Sequence, residues 1–247
     1  MDFQNLLLLF AIGAVAGFIN INAGGGSALT LPALVFLGLD GALANGTNRV
    51  AIFVQNIFAI ASFNKNKVRA YTLSFKLSLL TLPGAVIGAI AATRISGPLF
   101  ERILGVVLIF IVFSLFFSGS YKNVRAEESR SHWLIYPSLV FIGFYGGILQ
   151  VGVGFLFMAA LYHFLDQNLV RVNMHKVFIV LVYTLPALGV FILTGNINWK
   201  YGLALAGGNA LGGYWGARAA VKGGEKFIRI ILAVAILIMA GKLFDLY

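Results

Sequence analysis

Asn45, Asn48 and Arg49 stand together at the head of one apolar run, and Asn173, His175 and Lys176 stand at the head of another, 128 residues on. Amides with one or two cations, and no carboxylate beside them, suit a small oxyanion, because they donate hydrogen bonds and supply positive charge. Each group follows a glycine-rich break by 22 residues: Ala23-Gly24-Gly25-Gly26-Ser27 in the first case, Val151-Gly152-Val153-Gly154-Phe155 in the second. The arm after each break begins with free backbone N–H groups and the positive end of a helix dipole, a second kind of anion donor. Asn20, Asn22 and Ser27 add side-chain groups at the first break, and Gln150 occupies the position of Asn22 at the second.

The candidate binding residues are therefore Asn20, Asn22, Gly24, Gly25, Gly26, Ser27, Asn45, Asn48, Arg49, Gln150, Gly152, Gly154, Asn173 and Lys176. Competing readings exist for each: a structural helix break that holds no ligand, and cations that snorkel to the headgroups from a helix end. Arg49 aligns with Val177, so the cation is not strictly repeated. Gly-Gly-Gly lacks the Gly-x-x-x-x-Gly-Lys-Ser/Thr spacing of a nucleotide loop. His132, His163 and His175 have no metal-ligand spacing. No Ser–His–Asp set or carboxylate pair suggests hydrolysis, so no catalytic residue, metal or cofactor is expected, and the chain does not read as an enzyme. His163 and Asp166 read as an interfacial pair before a proton relay.

These groups sit in a chain that is 60% hydrophobic and 11% charged, with mean hydropathy +0.93. Soluble domains carry about 25% charge. Eight nearly charge-free runs, from Leu6–Ile19 to Ile230–Met239, are too many for the polar residues to cover, which makes this an all-α polytopic membrane protein. The net charge of +10 reads as membrane topology rather than nucleic-acid binding, because the basic residues cluster in short loops. There is no cysteine, which excludes disulfides and thiolate chemistry. No basic residue precedes the first apolar run, so a cleaved signal peptide is not expected.

The offsets divide the chain into residues 1–118, a polar connector 119–133 and residues 134–247. Gly84, Gly88 and Ala92 before Arg94 match Gly208, Gly212 and Gly216 before Arg218, each 124 apart, on faces that could pack within or between subunits. A homodimer is thus left open. The arm after the first break, Ser27 to Leu37, is about 16 Å long at ~1.5 Å per residue, too short for a hydrocarbon core of roughly 30 Å. A re-entrant helix–turn–helix hairpin followed by three spans (45–63, 74–93, 99–117) is the expectation for the first half. Polar turns are expected just before Arg49 and Lys176, and Asp40, Glu101 and Glu225 read as loop charges.

Two such halves, inverted, put 13 of the 18 basic residues on one side and five (Arg49, Arg94, Arg102, Lys200, Lys242) on the other. If the broken helix crossed once instead, the same residues would divide nine and nine. The positive-inside bias favours inverted repeats, a cytoplasmic connector and both termini outside. Matched helix breaks in two inverted halves are the pattern of a transport site near the midplane.

Gly17-Phe18-Ile19-Asn20 with Ala23–Ser27, Leu31-Pro32-Ala33, Ala44–Ala51 and Gly212–Arg218 strongly resemble the TauE/SafE family of membrane permeases, the sulfite-exporter family, along the whole chain. The resemblance implies transport of small sulfur-containing anions such as sulfite, thiosulfate or sulfoacetate and other organosulfonates, in a prokaryotic inner membrane. An anion channel of the same architecture, or a carrier of another small oxyanion, is the alternative.

Overall fold

The computed structural model describes residues 2–117, 132–165 and 168–243. Most of the expected connector and Asp166 fall outside them. Every regular element among the described residues is a helix. The first half holds α1 (Asp2–Asn22), α2 (Ser27–Phe36), α3 (Gly41–Lys65), α4 (Tyr71–Arg94) and α5 (Gly97–Phe117). The second holds α6 (Ile135–Ile148), α7 (Val153–Leu165), α8 (Leu169–Leu193) and α9 (Trp199–Leu243), the last broken at Gly224, whose φ is +62°. Among the described residues, three helices, at Phe3–Asn22, Tyr71–Arg94 and Leu169–Leu193, are long and apolar enough to cross a membrane by length and composition. Exposed Ile87, Val106, Phe141 and Leu203 offer apolar surface to lipid.

Both breaks fall where the glycines are. Gly24 and Gly152 take φ of +90° and +69°, a left-handed turn that ends a helix at little cost only for glycine. Gln150 shares that region at +60° without being glycine. The arms α2, α6 and α7, with 10, 14 and 13 residues, are about 15, 21 and 20 Å long at ~1.5 Å per residue, all short of a roughly 30 Å core. The two hairpins differ, however. With 21 residues, α1 is long enough to cross by itself.

The polar cluster 45–49 is not a turn before a helix. α3 already starts at Gly41, because Asp40 caps it: its Oδ1 accepts from the Leu43 N–H at 2.9 Å. Asn168 caps α8 in the same way, accepting from the Arg171 N–H at 3.0 Å, 128 residues later in both donor and acceptor. Arg49 is therefore the ninth residue of α3 and Lys176 the eighth of α8, each about 11–12 Å along the helix. Asp40 is thus a cap, and Glu101 is an exposed residue of α5 rather than a loop charge.

The packing between halves is crossed. α1 lies on α9 and α6 lies on α4, while α3 and α8 meet each other and each lean on the other half's fourth helix. Glycine permits two close approaches between the halves. Gly84 and Gly88 of α4 seat on Val140, Phe144 and Gly147 of α6; Gly208, Gly212 and Gly216 of α9 seat on Phe10, Ala14 and Phe18 of α1. The two small-residue faces are thus used within the chain. A Cβ at Gly212 would run into the Ala14 carbonyl, whereas one at Gly105 of α5 meets nothing within 4 Å. Gly212→Ala should lower the melting temperature in detergent, with overpacking costing about 1–3 kcal/mol. Gly105→Ala should leave it unchanged or raise it, by up to ~1 kcal/mol of helix propensity. Equal effects would rule out the close approach.

Candidate functional site

The two breaks meet each other. Gly24 and Gly154 touch backbone to backbone, so that a Cβ on either would penetrate the other, and the Phe155 ring covers Gly25. Around the meeting point lies a small cavity lined by Asn20, Ile21, Ser27, Ile52, Asn56, Gln150, Val153, Gly154, Lys176 and Val180. Its volume is about 10 Å³, on a scale where one water needs roughly 10–15 Å³. The site as it stands is closed.

The cations are deep, not snorkelled: Arg49 is 0% exposed and Lys176 3%. Each is bound to the end of the other half's hairpin. Arg49 Nη2 donates to Gly146 O at 3.0 Å and to Gly147 O at 2.5 Å, and Asn45 Nδ2 donates to Ile148 O at 2.5 Å. Together they take three successive carbonyls at the C-terminus of α6. Lys176 Nζ donates to Asn20 O at 3.1 Å and to Ile21 O at 2.6 Å, at the C-terminus of α1, with Met158 Sδ at 3.8 Å. The last carbonyls of a helix are short of intrahelical donors and carry partial negative charge, so a cation is favoured there. Asn20 O already accepts from the Gly24 N–H at 2.8 Å, and Lys176 is a second donor to it. The Phe191 ring lies 4.9 Å from the guanidinium carbon of Arg49 and adds a cation–π contact.

The expected residues divide by place. Asn20, Ser27, Gln150, Gly154 and Lys176 line the cavity. Asn20 also receives the Gly26 N–H on its Oδ1 at 3.2 Å, bracing the tip. Asn48 accepts from Thr30 Oγ1 at 2.7 Å and donates to Ser27 Oγ at 3.4 Å, which ties α3 to α2. Asn45 and Arg49 do not line the cavity; they hold α6 from behind. Asn22 points elsewhere, donating to Phe18 O at 2.8 Å and Gly216 O at 3.3 Å against α9. Asn173 is fully buried, and neither of its side-chain polar atoms has a partner among the described residues. Arg49 Nε and Nη1, Gln150 Oε1 and Tyr183 Oη share that condition.

Three contributors escaped the sequence reading. Asn56 lines the cavity, and it lies seven residues beyond Arg49, the same face of a helix. The pair Gln55-Asn56 inside an otherwise apolar run was the available signal. Thr184 receives Gln150 Nε2 at 3.4 Å, and Ser74 Oγ lies 2.8 Å from His175 Nδ1; neither stands out by spacing.

A sequence signature of the family described as sulfite exporter TauE/SafE matches residues 9–243. The chain belongs to the TauE/SafE family. Among its relatives, the probable membrane transporter protein ORF9 of a Sinorhizobium species is 30% identical over 98% of this chain and 94% of that protein. A probable membrane transporter protein of Haemophilus influenzae is 29% identical over 96% and 94%, and the probable membrane transporter protein YfcA of Escherichia coli K12 is 28% identical over 96% and 88%. No solved structure gives a significant match. This TauE/SafE protein is accordingly a membrane transporter.

Removing the Arg49 guanidinium leaves Gly146 O and Gly147 O without a donor. Arg49→Met should therefore destabilise the folded protein by about 1–3 kcal/mol, read as a lower melting temperature in detergent, and Arg49→Lys should restore part of it. A stabilised Arg49→Met would show instead that the buried charge costs more than its caps return.

Proposed function

We propose that this protein is a secondary transporter of a small sulfur oxyanion or organosulfonate. Its cargo binds where the two hairpin tips meet and crosses by alternating access. One observation carries the reading: two broken hairpins touch at Gly24 and Gly154 beside a buried ammonium, Lys176, that has no carboxylate partner among the described residues. A buried cation without a counter-charge is costly, and an anionic cargo supplies the missing charge. Lys176, Asn20, Ser27, Gln150 and Asn56 hold that cargo, with the backbone N–H groups near Gly25–Ser27 and Gly152–Gly154. Arg49, Asn45 and Asn48 position the tips, and Asn22 and Asn173 shape their surroundings.

The two halves, 1–118 and 134–247, are inverted repeats with re-entrant hairpins, both termini outside and the 119–133 connector cytoplasmic, in a prokaryotic inner membrane. Support comes from the crossed packing and from helix caps repeated 128 residues apart. In an inverted pair, rocking one half against the other exposes a central site to each side in turn. A cavity of about 10 Å³ is too small for such a cargo, which enters only when the tips part.

The test is uptake of labelled sulfite, thiosulfate and sulfoacetate into proteoliposomes. Wild type should show saturable uptake and counterflow for at least one of them. Lys176→Met should abolish it and Lys176→Arg should keep a fraction with a raised KM, while Arg49→Lys changes mainly the maximal rate. Unaltered uptake by Lys176→Met would overturn the site, and single-channel currents without counterflow would overturn the carrier mechanism.

A further inference from the structure

A second cavity, of about 320 Å³, opens at one end of the molecule and is lined by Lys67, Val68, Arg69, Asn168, Val170 and Arg171. Among the described residues, three of the six that line it are cations and none is an acid. They come from both halves: Lys67 and Arg69 from the α3–α4 loop, Asn168 and Arg171 from the start of α8. Arg69 is held in place, its Nε donating to Asn64 Oδ1 at 2.8 Å. At the equivalent cap of the first half, Asp40 stands for Asn168 and Leu43 for Arg171. The three cations belong to the basic-rich side of the chain, and residues of both halves converge there on one cavity.

The cavity is also set on a line toward the central site. Val68 and Val170 belong to an apolar cluster with Ile21, Ala59, Phe63, Met174 and Val177. Ile21 in turn lines the Lys176 cavity. One apolar layer thus separates the basic cavity from the central one. Arg171 and Lys176 are five residues apart on α8, about 7.5 Å of helix rise.

We infer that the basic cavity is a second anion-binding position, a vestibule in which a small oxyanion is held before or after passage through the apolar layer. Its place on the transport route rests on the function proposed above; its affinity for anions does not. A cleft lined by one sign of charge raises the local concentration of ions of the other sign, and because Lys67, Arg69 and Arg171 are exposed to solvent the effect falls as salt rises. The volume contrast fits the division of labour: about 320 Å³ admits an anion with part of its water, whereas about 10 Å³ at the centre does not. The phosphate of an acidic lipid headgroup shares this chemistry.

The chain has no cysteine, so single cysteines can be placed without further change. Val68→Cys and Val170→Cys are reacted with a negatively and a positively charged methanethiosulfonate reagent, in detergent and in vesicles. The negative-to-positive rate ratio, relative to free 2-mercaptoethanol, should be about tenfold or more at both positions. It should fall toward one in a Lys67→Gln/Arg171→Gln background. Sodium sulfate should slow the negative reagent everywhere if free oxyanions occupy the cavity. Slowing only in vesicles containing phosphatidylglycerol identifies the occupant as a headgroup phosphate. A ratio equal to that of the free thiol, or no reaction at either position, overturns the inference. None of these readouts requires transport, so a failure of uptake leaves the vestibule standing and an unselective cavity leaves the central site standing.

Discussion

Ending a helix in a buried, apolar interior leaves its last carbonyls short of intrahelical donors, and a buried polar group left unpaired is costly. This protein does so at α1 and at α6, and the rest of its architecture follows from how those ends are satisfied. Each takes a cation from the opposite half: Lys176 for α1, Arg49 for α6. The arrangement meets a second need. A guanidinium and an ammonium buried in an apolar interior need negative charge, and a helix C-terminus supplies about half a unit. Two costly features thus stabilise each other, and they do so only while the halves stay crossed.

The exchange is reciprocal without being equal. Arg49 and Asn45 together hold three carbonyls of α6, while Lys176 holds two of α1 and the side chain of Asn173, the counterpart of Asn45, has no partner among the described residues. Lys176 faces the cavity; Arg49 lies behind it, under Phe191. Similar folds in the two halves therefore support different tasks. The half-charge at each helix end leaves positive charge over, and it is the lysine that presents it to the central space. α1 also exceeds α6 by seven residues, so the first hairpin is anchored by a helix of full membrane length and the second is not.

Much of this was legible in the residues. The apolar runs, the glycine breaks at residues 24 and 152 and the short arms after them follow from local composition and helix length, and the helices end where those signals lie. The small-residue faces were legible as faces, but not as to which helix they meet, because four-residue spacing specifies a packing surface and no partner. The polar segment Asn45-Gly46-Thr47-Asn48-Arg49 misled for a physical reason. Glycine, asparagine and threonine are poor helix formers alone, yet here Asp40 caps the helix ahead of them and tertiary bonds take their side chains. Asn56 was missed because an isolated amide within an apolar stretch has several structural uses. The grouping of Lys176 with Asn20, and not with Arg49, depends on long-range packing that spacing does not encode.

Crossed packing also has a meaning in time. A chain is made from its N-terminus, at about 5–20 residues per second. When α1 and α3 emerge, the lysine that completes one and the carbonyls that receive the other's arginine do not yet exist. The groove on which α1 rests is formed by α9, near the end of the chain. The contacts of Arg49 with α6 and of Lys176 with α1 therefore close only after the second half has been made.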